Sequence, residues 1–133
     1  MNNKRLGARF EREMCEKLAK AGYWVHFISP DCSGAQPFDI IGARFGIAFA
    51  IDCKTSSKRL FPLTRLEDNQ IMAFEKWMEC GNSVPCVAVK FEDHIYLVPY
   101  TDLKNKKIVD LADYGEFDND SGSKSSNSDT ESD

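Results

Sequence analysis

At 133 residues, 42% hydrophobic and 29% charged, the chain has the make-up of one folded domain with a modest core, and no apolar run reaches membrane-spanning length. The formal net charge of −4 is unevenly spread: residues 113–133 hold seven acids and one lysine, a balance of −6. Residues 1–112 hold the other 16 basic and 14 acidic groups, a balance of +2, so the body of the chain is not excluded from binding a polyanion.

A first helix is predicted over residues 4–21, because Leu6, Phe10, Met14 and Leu18 recur at helical spacing and Gly22 supplies a stop. Residues 23–28 are aromatic and β-branched and read as a strand, and 29–37 as a loop rich in turn formers. Two short apolar runs, 38–42 and 47–53, flank Ala43-Arg44-Phe45-Gly46 and predict a β-hairpin. Residues 56–62 form a basic loop. Thr64-Arg65-Leu66-Glu67 has the form of a capping box opening a second helix that reaches about Cys80, ended by Gly81-Asn82. A second hairpin follows over 84–91 and 95–100, turning through Glu92-Asp93-His94. The order α-β-β-β-α-β-β describes a single α/β domain with a central mixed sheet flanked by helices over residues 1–112. Residues 113–133 are expected to be a disordered acidic tail, either a partner or competitor segment or simply a solubilising one.

Cys15, Cys32, Cys53, Cys80 and Cys86 are odd in number and lack C-x-x-C spacing, which argues against a disulfide framework and a zinc site. Lys4, Arg5 and Arg9 are not followed by an apolar signal stretch, so the expectation is a cytoplasmic protein with reduced thiols.

Chemistry concentrates in the first hairpin. Asp52 and Lys54 lie two apart on one strand and share a face. A turn centred on Phe45-Gly46 sets Asp39 directly opposite Asp52; a four-residue loop would make them diagonal neighbours. Like charges facing across a sheet are destabilising unless a cation compensates them. Lys54 supplies one positive charge. A divalent ion held by Asp39, Asp52 and the Cys53 carbonyl would supply the rest, and hard oxygen donors suit Mg2+, with Mn2+ able to substitute. Such a site acts on phosphodiesters by polarising the phosphate and activating water. Glu11, beside the apolar stripe of the first helix, is placed to border the metal site. Gln70 sets an amide on a helix face otherwise made of Phe74, Trp77 and Met78. The same residues also read as strand-end acids, an edge lysine, a solvated helix face and an early-turn amide. His26 and His94 have no ligand partner in sequence.

These positions resemble the PD-(D/E)-x-K nuclease superfamily, which pairs a helix-borne Glu with an Asp on one strand and a D/E-x-K on the next. Here they are Glu11, Asp39 in Pro37-Phe38-Asp39-Ile40-Ile41-Gly42, and Asp52-Cys53-Lys54. Within it the chain looks most like the Holliday-junction resolvases of archaea, the RecU group and phages, through Gly7-Ala8-Arg9-Phe10-Glu11-Arg12-Glu13, Gly22-Tyr23-Trp24-Val25, Ser33-Gly34, residues 61–70 and Ile95-Tyr96-Leu97-Val98-Pro99. The resemblance implies a restriction-endonuclease-like core and a homodimer that nicks two opposing strands of a four-way DNA junction. It further implies Glu11, Asp39 and Asp52 as metal ligands, Lys54 as the catalytic lysine, Ser33 as a loop serine near the scissile strand and Gln70 as a supporting polar residue. Phe38 separates Pro37 from Asp39, and Asp52 stands where Glu is commoner. The loop before Asp39 is too short for the stalk of the RecU group.

Candidate phosphate contacts are Lys4, Arg5, Arg9 and Arg12 near the start and Lys58, Arg59 and Arg65 after the Lys54 strand. They would give affinity without sequence readout, or else form solvated basic faces. Two alternatives stand beside the resolvase reading: a related nuclease acting on flaps, single strands or other DNA, and a junction-binding protein without catalysis.

Overall fold

The computed structural model describes residues 3–28 and 37–117, with side chains from Leu6 onward. Ser33 and the tail beyond Phe117 therefore lie outside the described residues, as do the side chains of Lys4 and Arg5.

Helix α1 (Asn3–Lys20) leads into strands β1 (Trp24–Phe27), β2 (Ile40–Arg44) and β3 (Ile47–Thr55). A short strand β4 (Leu60–Pro62) and a 3₁₀ turn (Leu63–Arg65) precede helix α2 (Asp68–Glu79). Strands β5 (Cys86–Phe91) and β6 (His94–Pro99), helix α3 (Tyr100–Lys106), strand β7 (Ile108–Asp110) and a second 3₁₀ turn (Leu111–Asp113) complete the order. The main sheet runs β1-β2-β3-β5-β6, and β4 pairs with β7 in a separate ribbon. The β3–β5 pairing is parallel, because α2 carries the chain back across the sheet, and the other pairings are antiparallel.

The predicted stripe on α1 is the buried one. Phe10, Met14 and Leu18 pack with Ile40, Ile51, Cys53, Ala88 and Ile95 on one face of the sheet, while Leu6 is exposed at the start of the helix. Each such apolar side chain contributes about 1.5–3 kcal/mol on burial. The helix ends where expected, at Gly22, whose φ of +99° a side chain would resist. Arg44 lies against that glycine and donates to the Ala21 carbonyl, so a cation sits on the negative end of the helix. On the other face, Phe74 and Leu66 from the α2 region join Phe38, Ala50, Phe61, Val87, Val89, Val98, Tyr100, Leu103, Val109 and Leu111.

Several expectations are corrected. The Thr64–Glu67 segment does not open a helix: Leu66 is extended, and Glu67 is the cap of a helix that begins at Asp68. The region read as a basic loop ends in β4, which pairs with β7 and whose Phe61 is buried in the core. The folded body also runs past residue 112: the Phe117 amide donates to Ile95 O at 2.6 Å, Glu116 bridges Tyr96, and Tyr114 donates to Asp102 at 2.8 Å. Among the described residues Cys15, Cys53, Cys80 and Cys86 are free thiols. No described helix is long and apolar enough to cross a membrane.

Candidate active site

The β2–β3 hairpin turns on two residues with positive φ, Phe45 at 55° and Gly46 at 79°, which matches the twist of the strands it joins. Arg44 pairs with Ile47 and Ile40 with Ile51, so the next position of the register sets Asp39 opposite Asp52. At that point the strands part. The Asp39 amide donates to Ile51 O at 3.1 Å, and the Asp39 carboxylate, through Oδ2, accepts the Cys53 amide at 2.8 Å. The N–H and C=O of one strand residue face the same neighbour. The Cys53 carbonyl therefore also looks toward the Asp39 side. Its thiol is buried and held protonated, chiefly by desolvation, so the main chain is what Cys53 can offer a cation.

Asp52 is fully buried. Its Oδ1 accepts from Gln70 Nε2 at 3.0 Å, whereas its Oδ2 has no hydrogen-bond partner and meets Lys54 Nζ at 3.4 Å. Lys54 Nζ also donates to Gln70 Oε1 at 3.1 Å. Gln70, buried on the first turn of α2, accepts the Glu67 amide on the same oxygen at 3.0 Å. One side chain thus closes the helix start and holds both charged groups of β3.

Glu11 reaches the cluster from α1. Its carboxyl is raised from the ordinary 4.5 to about 7, first by burial and then by the charge and hydrogen bonding of Asp39. The Asp52 carboxyl is raised as well, first by burial and then by Asp39, with Lys54 opposing. Three carboxyl groups thus crowd one place. Among the described residues no group of three His, Cys, Asp or Glu side chains is placed to hold a metal ion by side chains alone. What is present is a buried oxygen, Oδ2 of Asp52, that lacks a hydrogen bond and has the Lys54 ammonium 3.4 Å away, beside the carboxyls of Asp39 and Glu11. That donor set fits a hard divalent cation such as Mg2+ or Mn2+.

A pH dependence follows. Glu11 binds its proton more tightly in the folded chain than in the unfolded one, so the folded state loses stability as pH rises from 4.5 through about 7. Asp52 acts in the same direction. Thermal melts in chelator should decline across that window, and Mg2+ should flatten the decline by compensating the carboxylates. A melting temperature independent of pH in chelator would contradict this account.

An open cleft of about 570 Å³ leads to Lys54, lined by Leu6, Gly7, Cys53, Thr55, Ser56, Ser57 and Arg65. Arg65 is steadied there by a 2.8 Å bond to Thr55 O and by the Phe61 ring. Arg9 and Arg12 are exposed on α1, and Lys58 is exposed after β3. Arg59 is drawn away, its Nε paired with Asp110 at 2.9 Å beside the β4–β7 ribbon. The structure thus gathers Glu11, Asp39, Asp52, Cys53, Lys54 and Gln70, with Arg65 at the rim. His26 stacks on Trp24, and His94 pairs with Glu116, both apart from this cluster. The main chain of Glu67 was not foreseen as part of the cluster. Its signal was the Glu67-x-x-Gln70 spacing, which also forms a capping box.

A family model described as archaeal Holliday junction resolvase (Hjc) matches residues 2–114. A Methanocaldococcus jannaschii protein named crossover junction endodeoxyribonuclease Hjc is 30% identical over 94 residues, which are 71% of this chain and 65% of that protein. The chain therefore spans just under two thirds of that relative's length. The structure of Archaeoglobus fulgidus Hjc, a Holliday junction resolvase from an archaeal hyperthermophile, superposes with a TM-score of 0.63 at 20% identity, covering 80% of this chain and 88% of that one. The likeness in fold identifies the mixed sheet and its helices as a restriction-endonuclease-like core.

Proposed function

The chain belongs to the archaeal Holliday junction resolvase (Hjc) family, and on that premise we propose that it is a metal-dependent endonuclease that resolves four-way DNA junctions by paired nicks in recombination and repair. The observation that carries the reading is the convergence of Asp39 and Asp52 across the β2–β3 register, with Lys54 on the same strand 3.4 Å from an otherwise unpartnered Asp52 oxygen. Glu11, Asp39, Asp52 and the Cys53 carbonyl would hold Mg2+ or Mn2+, which when bound lowers the pKa of water and stabilises charge on the phosphate. Lys54 then lies beside the reacting phosphate, where its ammonium orients the attacking water and offsets charge on the phosphoryl oxygens. Arg65 lines the approach to Lys54. Arg9, Arg12 and Lys58, all exposed, would extend a basic track for the DNA backbone, and Lys4 and Arg5 would add charge to it. Arg59 contributes less, because Asp110 already neutralises it. Ser33 would sit near the scissile strand.

A four-way junction presents two equivalent strands for cutting, whereas the described residues carry one such cluster. We therefore take the acting species to be a homodimer working on DNA in the cytoplasm.

The test is cleavage of a synthetic four-way junction by the purified full chain in Mg2+, in Mn2+ and in chelator, beside flap, single-stranded and linear duplex DNA. Symmetric nicks confined to the junction and abolished by chelator are expected, with affinity falling steeply as salt rises. Equal cutting of flaps or single strands would point to the related-nuclease reading, and tight junction binding without cutting to a catalytically inactive binder.

A further inference from the structure

We propose that Gln70 is a positioning residue whose carboxamide, locked in one orientation by the start of α2, holds Lys54 and leaves one chosen oxygen of Asp52 for the cation. This deepens the reading above and rests on it.

The inference comes from one side chain serving two structures. A terminal amide can flip, exchanging its acceptor and donors. Here the Glu67 amide at 3.0 Å requires an acceptor, and so does the ammonium of Lys54 at 3.1 Å from the same atom. Both conditions put Oε1 on that side. Nε2 must then face Asp52, where it donates to Oδ1 at 3.0 Å. Oδ1 is thereby engaged, and Oδ2 is the oxygen left without a hydrogen bond, with the Lys54 ammonium 3.4 Å away as its one ion-pair neighbour among the described residues. The first turn of α2 thus sets which Asp52 oxygen is presented and where the Lys54 ammonium rests. Burial of Gln70 keeps water from substituting for any of the three bonds. Gln70 touches neither DNA nor cation in this scheme; it acts through Asp52 and Lys54.

Two variants separate positioning from general stability. Gln70→Met keeps the bulk of the side chain and removes all three bonds. Glu67→Pro removes the amide that fixes the orientation, and its ring suits the backbone there: Glu67 has φ −80° and Leu66 is extended. Phe74→Leu, in the core beneath α2, serves as a destabilised control. Single-turnover cleavage in Mg2+ should slow about 100-fold in Gln70→Met and about tenfold in Glu67→Pro, with metal-free junction affinity unchanged in both. Phe74→Leu should melt lower yet cut at close to the normal rate.

A wild-type rate in either test variant, or slowing no greater than that of Phe74→Leu, overturns the proposal. If the unmodified protein cuts no branched DNA, the resolvase reading has failed. Calorimetric titration with Mn2+ still decides the role of Gln70. Affinity about tenfold weaker in Gln70→Met supports it, and equal affinity overturns it.

Discussion

Replacing Lys54 with Ala should slow junction cleavage by about 10³-fold while junction binding survives. The side chain is only 17% exposed and is bracketed by Asp52 at 3.4 Å and Gln70 at 3.1 Å, so its ammonium is held rather than free to range over the DNA backbone. Its loss removes a preorganised charge from the reacting centre and leaves the outer basic residues in place. Lys54→Arg should not rescue activity, because a planar guanidinium does not fit the point occupied by a compact ammonium between a carboxylate and an amide. Binding and single-turnover cleavage measured on the same junction check this. Near-normal cutting by Lys54→Ala would sink the assignment of the centre.

Asp39→Asn should have opposite effects on activity and stability. Cleavage should be lost, because one of the facing carboxylates can no longer bind a cation. The metal-free protein should nonetheless gain about 1–2 kcal/mol. The asparagine oxygen can still accept the Cys53 amide, the bond Asp39 makes at 2.8 Å. Its NH₂ can turn toward the Asp52 oxygen that lacks a hydrogen bond, and a like-charge contact disappears. Denaturant titrations in chelator would show the gain. In Mg2+ the difference should narrow, since the unmodified chain is then stabilised by an ion that the variant holds poorly. A destabilised Asp39→Asn in chelator would mean that the acids are not in conflict.

The apposition of Asp39 and Asp52 was legible because it depends on local facts. Gly46 suits the second place of a two-residue turn, but Phe45, at φ 55°, does not suit the first, so the sequence left a four-residue loop open. Either register brings the two acids together, because side chains alternate along strands. The face shared by Asp52 and Lys54 follows from the same alternation. The start of α2 was misread because Thr64-x-x-Glu67 carries the usual capping pattern, whereas the box that forms begins from a glutamate, Glu67-x-x-Gln70; packing of Leu66 in the core, with the chain extended there, selects the second. That choice gives Gln70 its place against Asp52, a contact between distant segments that periodicity could not reveal. Strands β4 and β7 and helix α3 escaped for a related reason. Each is short, and the ribbon depends on a pairing between residues far apart in the chain. Tyr100, read as the end of a strand, instead begins α3, where its hydroxyl reaches Glu75 of α2 at 2.7 Å. The expected roles of Ser33, Lys4 and Arg5 concern groups outside the described residues.

The seating of Glu116 and Phe117 along β6 has a bearing on assembly. That margin of the main sheet is already occupied by the chain's own backbone, through Phe117 N–H to Ile95 O and the Tyr96–Glu116 bridge. Unpaired strand margins invite edge-to-edge joining between molecules, and a short self-supplied segment blunts one of them. A second molecule seeking to prolong the sheet would be turned away there and directed to the opposite margin, β1, which among the described residues has no further strand beside it and where Trp24 stands 62% exposed.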